Sequence, residues 1–293
     1  MTADGTVTWR ELWNETAARI GNRAQARWLC ETASGLDADE LLLELESPAT
    51  QRAVAHLDRM LGRFGNGEPL QYVLGRWSFR HLDLMVDRRV LIPRPETEEV
   101  AGVALSCALA RAAGAVRCAD LGTGSGAIGL ALASELATHR PPVPAEVWLT
   151  DVSPDAVDVA RANLAGIGRG APTVRFATGS WFAALPGELR GTFDVVVSNP
   201  PYVADDDPRV DAVVRDWEPP GALYAGSDGL DAVRAIVGGC PPWLAPGGWL
   251  VVEIGAGQGA AVAALAGETG LVDVEIRADA AGHDRILVAR RPT

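Results

Sequence analysis

Apolar residues recur at helical spacing through residues 8–67 and in compact runs of strand length after residue 100. Thr8-Trp9-Arg10-Glu11 reads as a capping box, with Thr8 at the N-cap and Glu11 at N3. Trp9, Leu12, Trp13, Ala17 and Ile20 follow one helical stripe, which Gly21 can end. A second helix is predicted over 23–32. A short acidic one is predicted from Asp37, carrying Leu41, Leu42, Leu43 and Leu45. The clearest helix is expected to start at Ser47 as N-cap with Pro48 at N1. Its apolar positions are Val54, Leu57, Met60, Leu61 and Phe64, and Gly65-Asn66-Gly67 stops it. These elements make a small bundle without a catalytic constellation. It is suited to packing and to recognising a macromolecular partner.

The pattern changes at residue 68. Tyr72 to Phe79 and Leu82 to Val86 read as two short strands around a tight connection, a hairpin linker over 68–92. In Leu91-Ile92-Pro93-Arg94-Pro95-Glu96-Thr97-Glu98 the two prolines keep Arg94 extended. Glu96 or Thr97 is expected to open the following helix. Arg94 could pair with a carboxylate of either ligand or protein.

From there helix and strand alternate, which predicts an α/β fold with a doubly wound sheet. Strands are expected over 115–121, 146–150, 173–177, 193–198, 248–254, 272–276 and 285–289. Ligands of such sheets sit beyond the carboxyl ends of the strands, and candidate chemistry collects there. Gly122-Thr123-Gly124-Ser125-Gly126 lies between a strand and a helix, where glycines permit a tight turn and close approach of backbone to ligand. Its spacing is not that of the dinucleotide fingerprint, and it lacks the Lys-Ser/Thr pair of a P-loop. Asp151 ends the second strand and is placed to accept from both ribose hydroxyls. Ser153 before Pro154 is the better helix N-cap. Trp181 could cover an adenine or pack in the core. Asn199-Pro200-Pro201-Tyr202 follows the strand Phe193 to Ser198. An Asn carbonyl, proline-aimed backbone carbonyls and a flat ring can hold a planar –NH2 group.

Composition narrows the partners. The chain has 293 residues, 48% of them hydrophobic, enough for substantial cores and, by length, for two domains. Lys+Arg 26 against Asp+Glu 38 gives a net charge of −12, which argues against a general nucleic-acid binder. Cys30, Cys107, Cys118 and Cys240 form no CxxC pair and do not cluster with the histidines, so no metal site or disulfide framework is expected. The N-terminus lacks a basic-then-apolar signal, and no 18-residue apolar run occurs. The expectation is a cytoplasmic protein without membrane attachment.

Asp120 to Gly126, Asp151 and Asn199 to Tyr202, in this order at strand ends, resemble class I (Rossmann-like) S-adenosylmethionine-dependent methyltransferases that modify amino groups. Gly67 to Gly75, Leu91 to Glu98, Glu218-Pro219, Gly226 to Leu230, and Glu253-Ile254-Gly255 with Gln258 further resemble the HemK/PrmC family of release factor glutamine N5-methyltransferases. The resemblance spans nearly the whole chain. It implies a mainly parallel seven-stranded sheet with a terminal antiparallel hairpin. It implies a helical substrate-docking domain over 1–67, the linker, and a methyltransferase domain over 93–293. It also implies S-adenosyl-L-methionine as cofactor and the Gly-Gly-Gln loop of peptide chain release factors as partner. Carried over by position, Gly122, Thr123, Gly124, Ser125 and Gly126 line the methionine and ribose side. Asp151 takes the ribose, Trp181 lies at the adenine, and Asn199, Pro200, Pro201 and Tyr202 bind the glutamine amide. Many members have Asp before that Trp; here Ser180 stands there, with a hydroxyl able to accept from the adenine amino group. Asn199, Pro200 and Tyr202 would carry catalysis. The rival readings are an adenine-N6 DNA or RNA methyltransferase and a non-catalytic release-factor-binding module.

Overall fold

The computed structural model describes residues 6–112, 114–279 and 281–293. The chain divides into two units, Met1–Gly75 and Arg76–Thr293, so the division falls inside the segment read as a linker. Residues 1–5 of the expected helical domain lie outside the described residues.

The first unit consists of α1 (Trp9–Ile20), α2 (Arg23–Ser34), α3 (Ala38–Leu43), α4 (Gln51–Gly65) and α5 (Leu70–Leu74). Local chemistry sets the ends. Thr8 and Glu11 form the reciprocal capping box, and Gly21, at φ 70°, closes α1 in the left-handed conformation. Leu12, Leu29, Leu41, Leu57, Met60 and Leu70 meet in one core.

Helix α4 begins later than its Ser47-Pro48 signal suggests. The N-cap is Thr50, whose hydroxyl accepts from the Ala53 N–H. Residues 47–49 are held extended instead: Trp9 N–H donates to Ser47 O, Ala49 N–H donates to Val7 O, and Thr8 bridges Pro48. Backbone already paired across the chain cannot also start a helix. The strand expected from Tyr72 is likewise replaced, by α5 up to Leu74. Leu70 and Val73, three apart, enter the helical core. The Arg63 guanidinium fixes the turn. It pairs with Glu68 at 2.6 Å and donates to the Tyr72 and Val73 carbonyls at 2.8 and 3.3 Å, giving partners to carbonyls that a short helix leaves open.

In the second unit β1 (Arg76–Phe79) and β2 (Leu82–Met85) form an antiparallel hairpin. Then come α6 (Pro95–Arg111), β3 (Val116–Leu121), α7 (Ala127–Thr138), β4 (Ala145–Asp151), α8 (Pro154–Asn163), β5 (Val174–Thr178) and β6 (Phe193–Ser198). The chain ends through α9 (Ala212–Trp217), α10 (Asp231–Gly239), β7 (Leu244–Glu253), α11 (Gly259–Glu268), β8 (Val272–Ala278) and β9 (Asp284–Arg290). Helix α6 starts at Pro95 with Arg94 as N-cap, one or two residues before the expected opening at Glu96 or Thr97.

The larger sheet has the order β5-β4-β3-β6-β7-β9-β8. β5 to β7 run parallel; β9 is antiparallel to both β7 and β8. This is the mainly parallel seven-stranded sheet with a terminal hairpin. Both faces are covered: Val195 and Val197 enter one apolar cluster and Val196 the other. That explains why β6 reads as a continuous apolar run rather than an alternating one. Among the described residues no helix is long and apolar enough to cross a membrane, and no group of three or more His, Cys, Asp or Glu could hold a metal ion.

Candidate active site

The order reverses at β3, whose neighbours are β4 on one side and β6 on the other. A cavity of about 400 Å³ opens at the carboxyl ends of these strands, the switch-point position for ligands in doubly wound sheets. Its lining includes Gly122, Thr123, Gly124, Ser125, Asp151, Ser180, Trp181, Asn199 and Pro201. Gly126, Pro200 and Tyr202 stand outside the lining: Gly126 is the N-cap of α7, at φ 86°.

The glycine loop is tied to its neighbours. Thr123 N–H donates to Thr150 O at 2.8 Å, and Gly124 N–H donates to Asp151 Oδ2 at 2.9 Å. Gly122, at φ 71°, faces the Trp181 ring: a Cβ there would lie 3.2 Å from it. Trp181 both lines the cavity and packs on the core cluster of Phe182 and Val233, so core packing does not take it away from the cavity. Ser180 is exposed at the same edge.

Asp151 does not cap α8. Ser153 does, accepting from Ala156 N–H at 3.2 Å. Asp151 Oδ1 accepts from Ser153 N–H and Oδ2 from Gly124 N–H, both at 2.9 Å. Each carboxylate oxygen has a second lone pair, so the half-buried group can still receive two hydroxyls.

Asp120, near the end of β3, opens the Asp120 to Gly126 motif, and the motif alone assigns it no role. Oδ2 accepts from Thr123 Oγ1 at 2.6 Å and from Gly129 N–H at 2.9 Å. Oδ1 is buried with no hydrogen-bond partner among the described residues, and Asp120 lines the cavity. Burial pushes its carboxyl up to about 6. An acceptor in that state suits a donor from a ligand.

On the opposite side Asn199 follows β6, whose end is tied to β3 by the Ser198 hydroxyl donating to Leu121 O at 2.6 Å. Asn199 Nδ2 donates to Thr97 Oγ1 at 3.1 Å. The Thr97 hydroxyl donates to Glu253 Oε2 at 2.7 Å, and Tyr202 OH donates to Glu253 Oε1 at 3.4 Å. Burial first of all raises the Glu253 carboxyl to about 7. Glu253 thus meets the site through two hydroxyls, those of Thr97 and Tyr202. Thr97 itself lines the cavity; its only sequence signal was a position near a helix start. Gln258 secures the segment after Tyr202: Nε2 donates to Tyr202 O at 3.1 Å and to Gly229 O at 3.2 Å, while Oε1 accepts from Gly255 N–H at 2.8 Å. Arg94 pairs with Glu218, which also accepts from Ile92 N–H at 3.1 Å, resolving its two readings towards an internal ion pair.

Two family models match the chain: the PrmC N-terminal domain over residues 16–75 and the methyltransferase small domain over 103–216. A release factor glutamine methyltransferase of Xylella fastidiosa (strain 9a5c) is 42% identical over 270 residues, 92% of this chain and 94% of that one. Its namesake from Geobacter sulfurreducens is 39% identical over 92% of this chain and 89% of its own. A methyltransferase crystal structure from Pyrococcus furiosus aligns at a TM-score of 0.52 with 17% identity, covering 80% of this chain and all of that one, a likeness of fold.

Proposed function

The chain belongs to the release factor glutamine methyltransferase family, and from that premise we propose that it transfers a methyl group from S-adenosyl-L-methionine to the side-chain amide nitrogen of the glutamine in the Gly-Gly-Gln loop of peptide chain release factors. The observation that carries this reading is the opposed placement of the glycine loop with Asp151 and of Asn199 around one cavity at the switch point.

The lining fits the cofactor. Gly122 and Gly124, at φ 71° and 54°, bring bare backbone to the cavity. Asp151 keeps lone pairs for the ribose hydroxyls, and the unpartnered Asp120 Oδ1 suits the ammonium of the methionine portion. When bound, the cofactor supplies a methyl on sulfonium sulfur, already a strong electrophile.

The protein's work is then alignment. A glutamine amide nitrogen is a weak nucleophile, because its lone pair is conjugated with the carbonyl. In this reading Asn199 Oδ1 and the Pro200 carbonyl accept the two amide hydrogens, turning the lone pair towards the methyl and stabilising positive charge that grows on nitrogen. Pro201 walls the cavity, and Tyr202, set behind the lining, flanks the amide plane. Ser180 and Trp181 receive the adenine. The helical unit docks the release factor, and action in the cytoplasm without stable nucleic-acid binding belongs to the same proposal.

The test is incubation with labelled S-adenosyl-L-methionine and a purified release factor, followed by peptide mass spectrometry. Methyl on the Gly-Gly-Gln glutamine is the expected result. Label on nucleic acid instead, or none on the glutamine, overturns the reading.

A further inference from the structure

Asn199 meets the cavity as the end of a buried chain of hydrogen bonds. Thr97 and Glu253, 3% and 1% exposed, stand behind it. Thr97 comes from the first turn of α6 and Glu253 from the end of β7, so two elements beyond β6 converge on one carboxamide.

The direction of the chain follows from proton counting. A threonine hydroxyl has one proton, a carboxylate has none, and a carboxamide has a donor edge and an acceptor edge. With Glu253 ionised, Thr97 gives its proton to Glu253 Oε2, and its oxygen then serves as acceptor. Only the –NH2 of Asn199 can meet that acceptor, as observed at 3.1 Å, which leaves Oδ1 for a ligand. With Glu253 protonated the order reverses. The carboxyl donates to Thr97, the Thr97 proton turns to Asn199, and the carboxamide is satisfied with Oδ1 inwards and Nδ2 outwards. An outward –NH2 opposes the –NH2 of an acceptor substrate.

We propose that Glu253 is a positioning residue for methyl transfer: acting through the Thr97 hydroxyl, it fixes the Asn199 carboxamide with its oxygen towards the nitrogen to be methylated. The proposal rests on the functional reading above only in taking an –NH2 group as the methyl acceptor. The environment places the reversal close to neutrality. Burial pushes the Glu253 carboxyl up to about 7, and Glu96 on α6 acts in the same sense. The Thr97 and Tyr202 hydroxyls and the Arg285 guanidinium of β9 act against it. Arg285 is itself shared with Asp279, 3.3 Å away. The Tyr202 hydroxyl on the other oxygen of Glu253 gives the ionised form a second donor.

Two measurements on the full chain test this. In 15N-labelled protein, the Asn199 side-chain –NH2 signals, identified by their loss in Asn199→Ser, are expected to shift with pH around neutrality. They are expected to stay fixed in Glu253→Gln and in Thr97→Val. A pH-invariant Asn199 signal in the folded wild type overturns the proposal, whatever the substrate. With release factor as acceptor, Thr97→Val is expected to lower kcat by about 10-fold or more, the worth of one lost hydrogen bond to a buried group. Cofactor affinity should be retained, and Thr97→Ser should restore most of the rate. Glu253→Gln is expected to remove the acid limb of the kcat profile. A wild-type kcat in Thr97→Val, or an unchanged acid limb in Glu253→Gln, overturns the positioning role. If the wild type fails to methylate the glutamine while the Asn199 signal titrates as described, the substrate reading falls and the coupling of Glu253 to Asn199 stands.

Discussion

The two walls of the cavity are built by different means. On the glycine-loop side the polar groups are mostly main chain, pinned by short-range turns and by neighbouring strand ends: Gly124 N–H on Asp151, Ser153 N–H on Asp151, Gly129 N–H on Asp120. On the Asn199 side the contacts run side chain to side chain, from Asn199 through Thr97 to Glu253 and Tyr202. The donors of the first wall are main-chain N–H groups fixed by the local turns, so it suits binding a constant ligand. A side-chain relay has a direction that one proton can reverse, so the second wall suits the step where charge develops. On the proposed function, the difference separates affinity from rate.

Substitutions on each wall should therefore fail in different measurements. The largest effect is expected from Asn199→Ala: kcat falls on the order of 10²–10³-fold, as for loss of one preorganised transition-state contact, while calorimetric cofactor affinity stays near wild type. A parallel collapse of affinity would merge the two walls into one. Asp151→Ala should do the converse. The Kd for S-adenosyl-L-methionine rises about 10–100-fold, for hydrogen bonds to a charged acceptor, with turnover largely kept at saturating cofactor. Unchanged affinity would leave Asp151 only its two backbone partners.

The smallest effect concerns stability. Folding raises the Glu253 carboxyl from 4.5 to about 7. Between those values the folded chain keeps a proton that the unfolded chain releases, so this group's contribution to stability falls as pH rises through the window. Glu253→Gln removes that loss. Its stability relative to wild type should improve between pH 5 and pH 8 by about 1–3 kcal/mol, read from denaturant midpoints. A flat difference across that range would mean that Glu253 titrates normally.

The glycine-loop wall was more legible in the sequence than the Asn199 wall. Gly122 to Gly126 sit between a strand and a helix that both announce themselves by pattern, and Asp151 is followed within three residues by the Ser153-Pro154 start of α8. Local signals of that kind survive folding, because their partners are near in sequence. Asn199 itself was conspicuous, but what orients it was not. Thr97 lies 102 residues from Asn199 and 156 from Glu253, and no spacing rule links an alcohol in one helix's first turn to an acid at a distant strand's end. The same limit explains the helical unit. Ser47-Pro48 is a sound local start signal, overruled by pairing with residues 7–9, and Tyr72 to Leu74 carry strand-forming residues that Arg63 and the core hold as a helical turn. The sheet, by contrast, was readable strand by strand, since long apolar runs admit few alternatives in a covered parallel sheet.

Gln258 touches three loops with one carboxamide: the Tyr202 carbonyl, the Gly229 carbonyl and the Gly255 N–H. Its consequence is for portability. Grafting Asn-Pro-Pro-Tyr alone onto the fourth strand of another doubly wound scaffold would transplant the functional groups without the brace that sets their height above the sheet. The smallest transferable unit is a discontinuous one, the tetrapeptide together with the 226–230 turn and the Gly255 to Gln258 corner.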